Sequence, residues 1–200
     1  METNHENLPP LVLVLDRLRS AHNTGNIFRI AEALGAGIAA CGYTPCPPHP
    51  KLEKTAMGTD RTVPWRHFDT SEEAVDFLRA DGYRVLAAEP GGPEAWELDY
   101  PEKLAVIFGN EALGVTPEAL KKADGVVSLP MRGKKASINV GNAAAAITYA
   151  IDAKRRKKTE NGNENQTAGQ KSEGRHSGAE TVRHGGLRHG NAGIDRHLRR

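Results

Sequence analysis

The sequence predicts an α/β protein built on a parallel sheet covered by helices on both sides. Three observations lead there. Short β-type apolar runs alternate along the chain with segments of helical periodicity, the order of a βα repeat. The runs are apolar at consecutive positions, as in strands buried on both faces. The segment 157–200, with no aromatic residue and only Val182, Leu187, Ile194 and Leu198 as large apolar ones, stands apart from everything before it.

Residues 11–15, LVLVL, are the first such run, and the polar residues 16–24 read as a loop. From Gly25 a helix is expected, with Ile27, Ile30, Ala31 and Leu34 at i, i+3, i+4 and i+7 and Gly35 and Gly37 to stop it. Residues 38–41 form a second strand. Pro45, Pro47, Pro48 and Pro50 then forbid regular structure. A third strand falls within 63–68. Thr70 or Ser71, with Glu73 and Ala74, opens a helix to about Ala80, and Asp81-Gly82 is its turn. Residues 83–88 are a strand, 90–101 a loop, and 104–108 another buried strand. Thr116 as N-cap and Pro117 at the first helical position open the next helix. Residues 126–129 are the last strand, and a final helix runs from Asn139 to about Arg156.

Composition sets further bounds. Residues 1–156 hold 18 Lys and Arg against 20 Asp and Glu, a net of −2; residues 157–200 hold 9 against 5, a net of +4, and four of the eight His. The chain therefore divides into a lead-in, 1–9, a domain, 10–156, and a basic tail, 157–200. The tail is too poor in apolar residues to offset the ordering entropy of ~1–2 kcal/mol per residue and is expected to be disordered. It is equally readable as an RNA-tethering arm and as a solvated extension. No apolar run approaches the ~18–20 residues of a membrane span, and 1–7 is acidic, unlike a signal peptide; a cytoplasmic protein is expected. Cys41 and Cys46 are the only cysteines, which excludes a disulfide scaffold. With His49 they make a poor ligand set, and no metal is expected. G-x-G-x-x-G, G-x-S-x-G and H-E-x-x-H are absent, and Gly133-Lys134 lacks the Ser or Thr of a P-loop.

In such sheets ligands sit beyond the carboxyl ends of the strands, and three constellations fall there. In Asn23-Thr-Gly-Asn-Ile-Phe-Arg29, Asn23 is a good N-cap, and Arg29 lies about 200° around the helix from Ile27, away from the core face. Arg29 is either a solvated cation or a phosphate contact near a helix start. In Phe108-Gly-Asn-Glu-Ala-Leu-Gly114, Gly109 allows close backbone approach of a ligand or serves a plain turn. Glu111 there needs a partner. In Leu129-Pro-Met-Arg-Gly-Lys-Lys-Ala-Ser-Ile-Asn-Val140, Ser137 is a natural N-cap, while Arg132, Lys134 and Lys135 fit a phosphate-rich partner.

Together and in this order, the three motifs resemble the SpoU/TrmH-type methyltransferases of the SPOUT superfamily. The matching patterns are N-x-G-x-x-x-R, F-G-N-E-x-x-G and P-M-x-G-x-x-x-S-x-N-V, spread over roughly residues 10–153. The segment 47–58, followed by Val63-Pro-Trp65, is similar to one in bacterial members. The resemblance implies a deep trefoil knot near the C-terminal end of the domain. Its loops would hold S-adenosylmethionine at a homodimer interface, and the activity would be methylation of a ribose 2′-hydroxyl in tRNA or rRNA. Carried onto this sequence, it puts Gly109, Leu129 and Ile138 against the cofactor, with Ala88 and Met131 lining the same pocket. Arg29 would act on the hydroxyl, Asn23 would support it, and Glu111, Ser137 and Asn139 would complete the site. The sequence departs from the family at Gly141, where Ser is usual.

A free guanidinium has a pKa above ~12 and is a poor base. Either an RNA phosphate takes the hydroxyl proton while Arg29 fixes both groups, or Arg29 takes it. RNA would be met by Arg17, Arg19, Lys51, Lys54 and Arg61 and by the loop carrying Arg132, Lys134 and Lys135. Larger ribosomal members carry an extra N-terminal RNA-binding domain, and only about ten residues precede the first strand, which favours tRNA. The alternatives are a non-catalytic RNA-binding module of the same fold and a nucleotide-binding α/β protein of other chemistry.

Overall fold

The computed structural model describes residues 7–135 and 137–173, side chains only as far as residue 159. Six strands form one wholly parallel sheet in the order β3-β2-β1-β5-β4-β6. They are β1 Leu11–Asp16, β2 Gly37–Cys41, β3 Trp65–Phe68, β4 Arg84–Ala88, β5 Leu104–Phe108 and β6 Gly125–Val127. The helices are α1 Ala21–Ala33, α2 Pro50–Ala56, α3 Ser71–Ala80, α4 Pro117–Lys122 and α5 Val140–Glu173. β1 and β5 lie at the centre, Leu11 to Leu15 in register with Leu104 to Phe108.

Pleating sends alternate side chains to opposite faces, and both faces are dry. Leu11, Leu13 and Leu15 pack with Ile27 and Phe28 of α1, Leu52 of α2 and Ile147 and Ile151 of α5. Val12 and Val14 pack with Val75 and Leu78 of α3 and Ala119 of α4. Each such burial is worth about 1.5–3 kcal/mol. The continuous apolar runs are thus central strands of a three-layer sandwich. The two tryptophans differ sharply: Trp65 in β3 is 5% exposed and Trp96, in the loop before β5, is 47% exposed.

The structure corrects three readings of local sequence. α1 begins at Ala21, earlier than its apolar periodicity, because the Ser20 side chain caps it by accepting from Asn23 N. Pro50 starts α2 at its first turn, with the His49 ring as N-cap. Proline at that position loses nothing, since its missing N–H would have had no helical partner. α5 runs beyond the predicted end near Arg156 to Glu173. Each residue added to an existing helix gains a hydrogen bond without a new nucleus. The rest of the predicted tail, 174–200, lies outside the described residues, as does most of the lead-in. The chain divides into two units, residues 1–160 and 161–200. Among the described residues no helix is long and apolar enough to cross a membrane.

Candidate functional site

The carboxyl ends of β4, β5 and β6 and the mouth of α5 enclose a cavity of about 370 Å³, within the range of small-ligand sites. Ala88, Gly109, Leu129, Met131 and Ile138, the residues assigned to the cofactor by resemblance, all line it, and so do Glu111, Ser137 and Asn139.

Glu111 joins the motifs. Its Oε2 accepts from Arg19 N at 2.9 Å, and its Oε1 accepts from Ser20 N at 3.1 Å and from Asn23 Nδ2 at 2.9 Å. Asn23 Oδ1 in turn accepts from Asn139 Nδ2 at 3.0 Å. One chain of side chains therefore runs from β5 through α1 to the start of α5. The carboxylate also faces the positive end of the α1 dipole. Burial alone would raise its pKa, but the bonds from Arg19, Asn23 and Ser20 prevail and hold it below the ordinary value. Since Ser20 caps α1, Asn23 sits inside the first turn with its side chain free for this bridge, and is not the N-cap the sequence suggested.

The turn after β5 is closed on itself. Asn110 and Gly114 exchange both backbone hydrogen bonds, and Asn110 Oδ1 accepts from Ala112 N and Leu113 N. A Cβ on Gly109 would lie 2.1 Å from Gly114 C and 2.2 Å from Val115 N. The glycine is demanded by this backbone crossing. At Gly114, φ +71°, a Cβ would lie 2.7 Å from Glu89 Oε1, which accepts from Val115 N at 2.6 Å.

At the mouth of α5, Asn139 is the cap: its Oδ1 accepts from Gly141 N and Asn142 N. Ser137, a candidate cap in the sequence, lies exposed two residues outside that position. Gly141 leaves no uncapped N–H, and a Cβ there would meet Asn26 Nδ2 at 2.7 Å. The Asn26 side chain occupies the space a larger residue would need.

Arg29 is exposed on α1 and does not line the cavity. Arg17 is tied by its Nε to the buried Asp16 carboxylate at 3.2 Å. Arg19, Lys51, Lys54, Arg61, Arg132, Lys134 and Lys135 are exposed. Lys134 and Lys135 line a second cavity that shares Pro90, Ser128, Leu129 and Met131 with the first. His49 caps α2, and Cys41 is sealed in β2, where burial pushes its thiol up to about 12; neither faces the cavity.

Sequence reasoning missed Glu89, which lines the cavity from the end of β4, and Asp16, whose oxygens accept from Ser71 Oγ and Thr116 N and so fix the starts of α3 and α4 to β1. The signal was present in both cases: an acid directly after an apolar run needs partners.

The walls combine apolar surface with negative charge. Phe108, Leu129, Ile138 and Ile147 offer apolar surface, and the charged side chains among the lining residues are two acids, Glu89 and Glu111. The model of the SpoU rRNA Methylase family matches residues 10–149. A tRNA (guanosine(18)-2′-O)-methyltransferase of Thermus thermophilus is 34% identical over 151 residues, covering 74% of this chain and 77% of that one. A 23S rRNA (uridine(2479)-2′-O)-methyltransferase of Streptomyces viridochromogenes is 31% identical, covering 70% and 51%. Among solved structures, the SpoU methyltransferase AviRb from Streptomyces viridochromogenes in complex with AdoMet superposes with a TM-score of 0.68 at 28% identity, over 76% of this chain and 60% of that one. A structure described by 2-OH methylation of C/U34 on tRNA gives 0.65 at 27% identity, over 73% and 96%.

Proposed function

The chain belongs to the SpoU rRNA methylase family, and from that membership we infer that it transfers the methyl group of S-adenosylmethionine to a ribose 2′-hydroxyl of RNA, with tRNA as substrate. The observation that carries this reading is the Glu111–Asn23–Asn139 bridge, which draws three motifs distant in sequence to one cavity. The tRNA choice rests on the Thermus relative, which matches over most of both chains.

When bound, the cofactor supplies a methyl group on a sulfonium, already a good leaving group, so the protein's task is placement. Holding the hydroxyl and the methyl carbon in attack geometry can supply about 7–11 kcal/mol. Gly109, Leu129 and Ile138 would offer backbone groups to the cofactor, and Ala88 and Met131 would line the same pocket. The segments that meet at this cavity are those the resemblance puts in the knot, and their convergence supports a knotted backbone here. Arg29 stands outside the walls of its own cavity, which supports a homodimer in which Arg29 of one protomer serves its partner's site. There its two-pronged guanidinium holds the ribose and a neighbouring phosphate, and either that phosphate or Arg29 itself takes the proton. The exposed cations of α2 and of the loop 132–135 contact the RNA backbone. An RNA substrate also fits a cytoplasmic setting.

The test is methyl transfer from radiolabelled S-adenosylmethionine to tRNA and, separately, rRNA from a methyltransferase-deficient strain, followed by alkaline digestion. Label in alkali-resistant dinucleotides of tRNA is expected. Label in rRNA alone reverses the substrate choice, and cofactor binding with no label in either rejects the enzyme in favour of an RNA-binding module. Arg29→Lys should lower turnover by about 10²–10⁴-fold with cofactor affinity unchanged; near-normal turnover removes Arg29 from the reaction.

A further inference from the structure

Glu89 lines the cavity from the end of β4. Among the described residues, its carboxylate has one hydrogen-bond partner, Val115 N on Oε1. Among the described residues Oε2 accepts no hydrogen bond. Glu111, the other acid of these walls, is in contrast occupied through both oxygens by three donors. No Lys, Arg or His stands among the lining residues; Lys134 and Lys135 face the neighbouring cavity.

Resting on the cofactor reading above, we propose that Glu89 sets the cavity's preference for the sulfonium cofactor over its spent product. The reaction turns a sulfonium of charge +1 into a neutral thioether and leaves every other group of the ligand unchanged. The two therefore differ in one methyl group and in one unit of charge, and a charge in the wall reads the second difference. A carboxylate with no cation of its own protomer in the same walls supplies that charge, because at a partly buried position a charge acts with less screening than in water. The anchoring bond to Val115 N holds the carboxylate at the cavity edge, so that little reorganisation is needed on binding. The product loses the attraction at the moment it forms, which favours its departure.

The experiment is calorimetric titration of the full-length protein with S-adenosylmethionine and, separately, S-adenosylhomocysteine. It compares wild type, Glu89→Gln and Glu89→Asp. Gln keeps an oxygen for Val115 N and removes the charge; Asp keeps the charge on a shorter side chain. Glu89→Gln is expected to weaken the sulfonium ligand about tenfold, with the thioether changed less than about twofold. Glu89→Asp should retain the preference. Equal weakening of both ligands by Gln, or a preference lost equally in Gln and Asp, overturns the proposal and leaves Glu89 as an anchor of the turn. An unchanged ratio in Gln overturns it as well. Wild-type protein that binds neither ligand fails the cofactor reading itself and takes this inference with it.

Discussion

On the β5 side the cavity wall is the turn 110–114, where Asn110 bonds to Gly114, Ala112 and Leu113 and Glu111 to Arg19, Ser20 and Asn23. On the α5 side the wall is Met131, Ser137 and Ile138, partly or fully exposed and tied down mainly through the following Asn139. The first wall is finished before any ligand arrives. The second offers surface whose energy is realised only on binding. Stability should therefore depend on the first wall and affinity on the second, in keeping with the rule that preorganised groups cost a ligand least.

The strongest test of that contrast is Gly109→Ala. The new methyl meets backbone on the far side of the turn, so the first wall must open; a loss of about 3 kcal/mol or more, roughly 6–12 °C in thermal midpoint, is expected with loss of cofactor binding. Asn139→Ala, at the seam of the two walls, removes the α5 cap and the Asn23 bond. It should cost about 1–2 kcal/mol by thermal or urea unfolding. Glu111→Gln should cost about 1 kcal/mol, limited by exposure. Because the folded carboxyl has a pKa below its ordinary 4.5, its contribution is complete above that value and fades as pH falls through the folded-state pKa. Midpoints of variant and wild type should therefore converge in acid. Ile138→Ala on the second wall should shift stability by less than about 0.5 kcal/mol yet weaken cofactor binding several-fold by calorimetry. A large stability loss there would erase the distinction between the walls.

Much of this could be read from the chain because burial writes itself into composition. The runs at 11–15 and 104–108 are central strands, and Thr116-Pro117 starts a helix. What could not be read was set by contacts between distant residues. Ser20 begins α1 in a stretch with no apolar period, and Pro50 reads as a breaker until His49 is seen to cap it. The placement of β5 between β1 and β4 depends on crossovers that leave no local trace. Within the site, the motif residues around the cavity were recognisable as a set. Arg29's separation from that cavity and Glu89's place in it were not, since each depends on where another segment lies.

The two tryptophans give the protein a built-in pair of optical reporters. Trp65 is sealed in the apolar layer of β3, so its emission should stay blue and insensitive to iodide until the whole sheet melts. Trp96 stands half in solvent beside Ala95, whose N–H donates to Ser128 O on the cavity rim. Iodide should silence Trp96 first, so the difference spectrum isolates the indole whose chain neighbour, Ala95, bonds to the rim. Ligand entry can then be followed without any label, separately from unfolding.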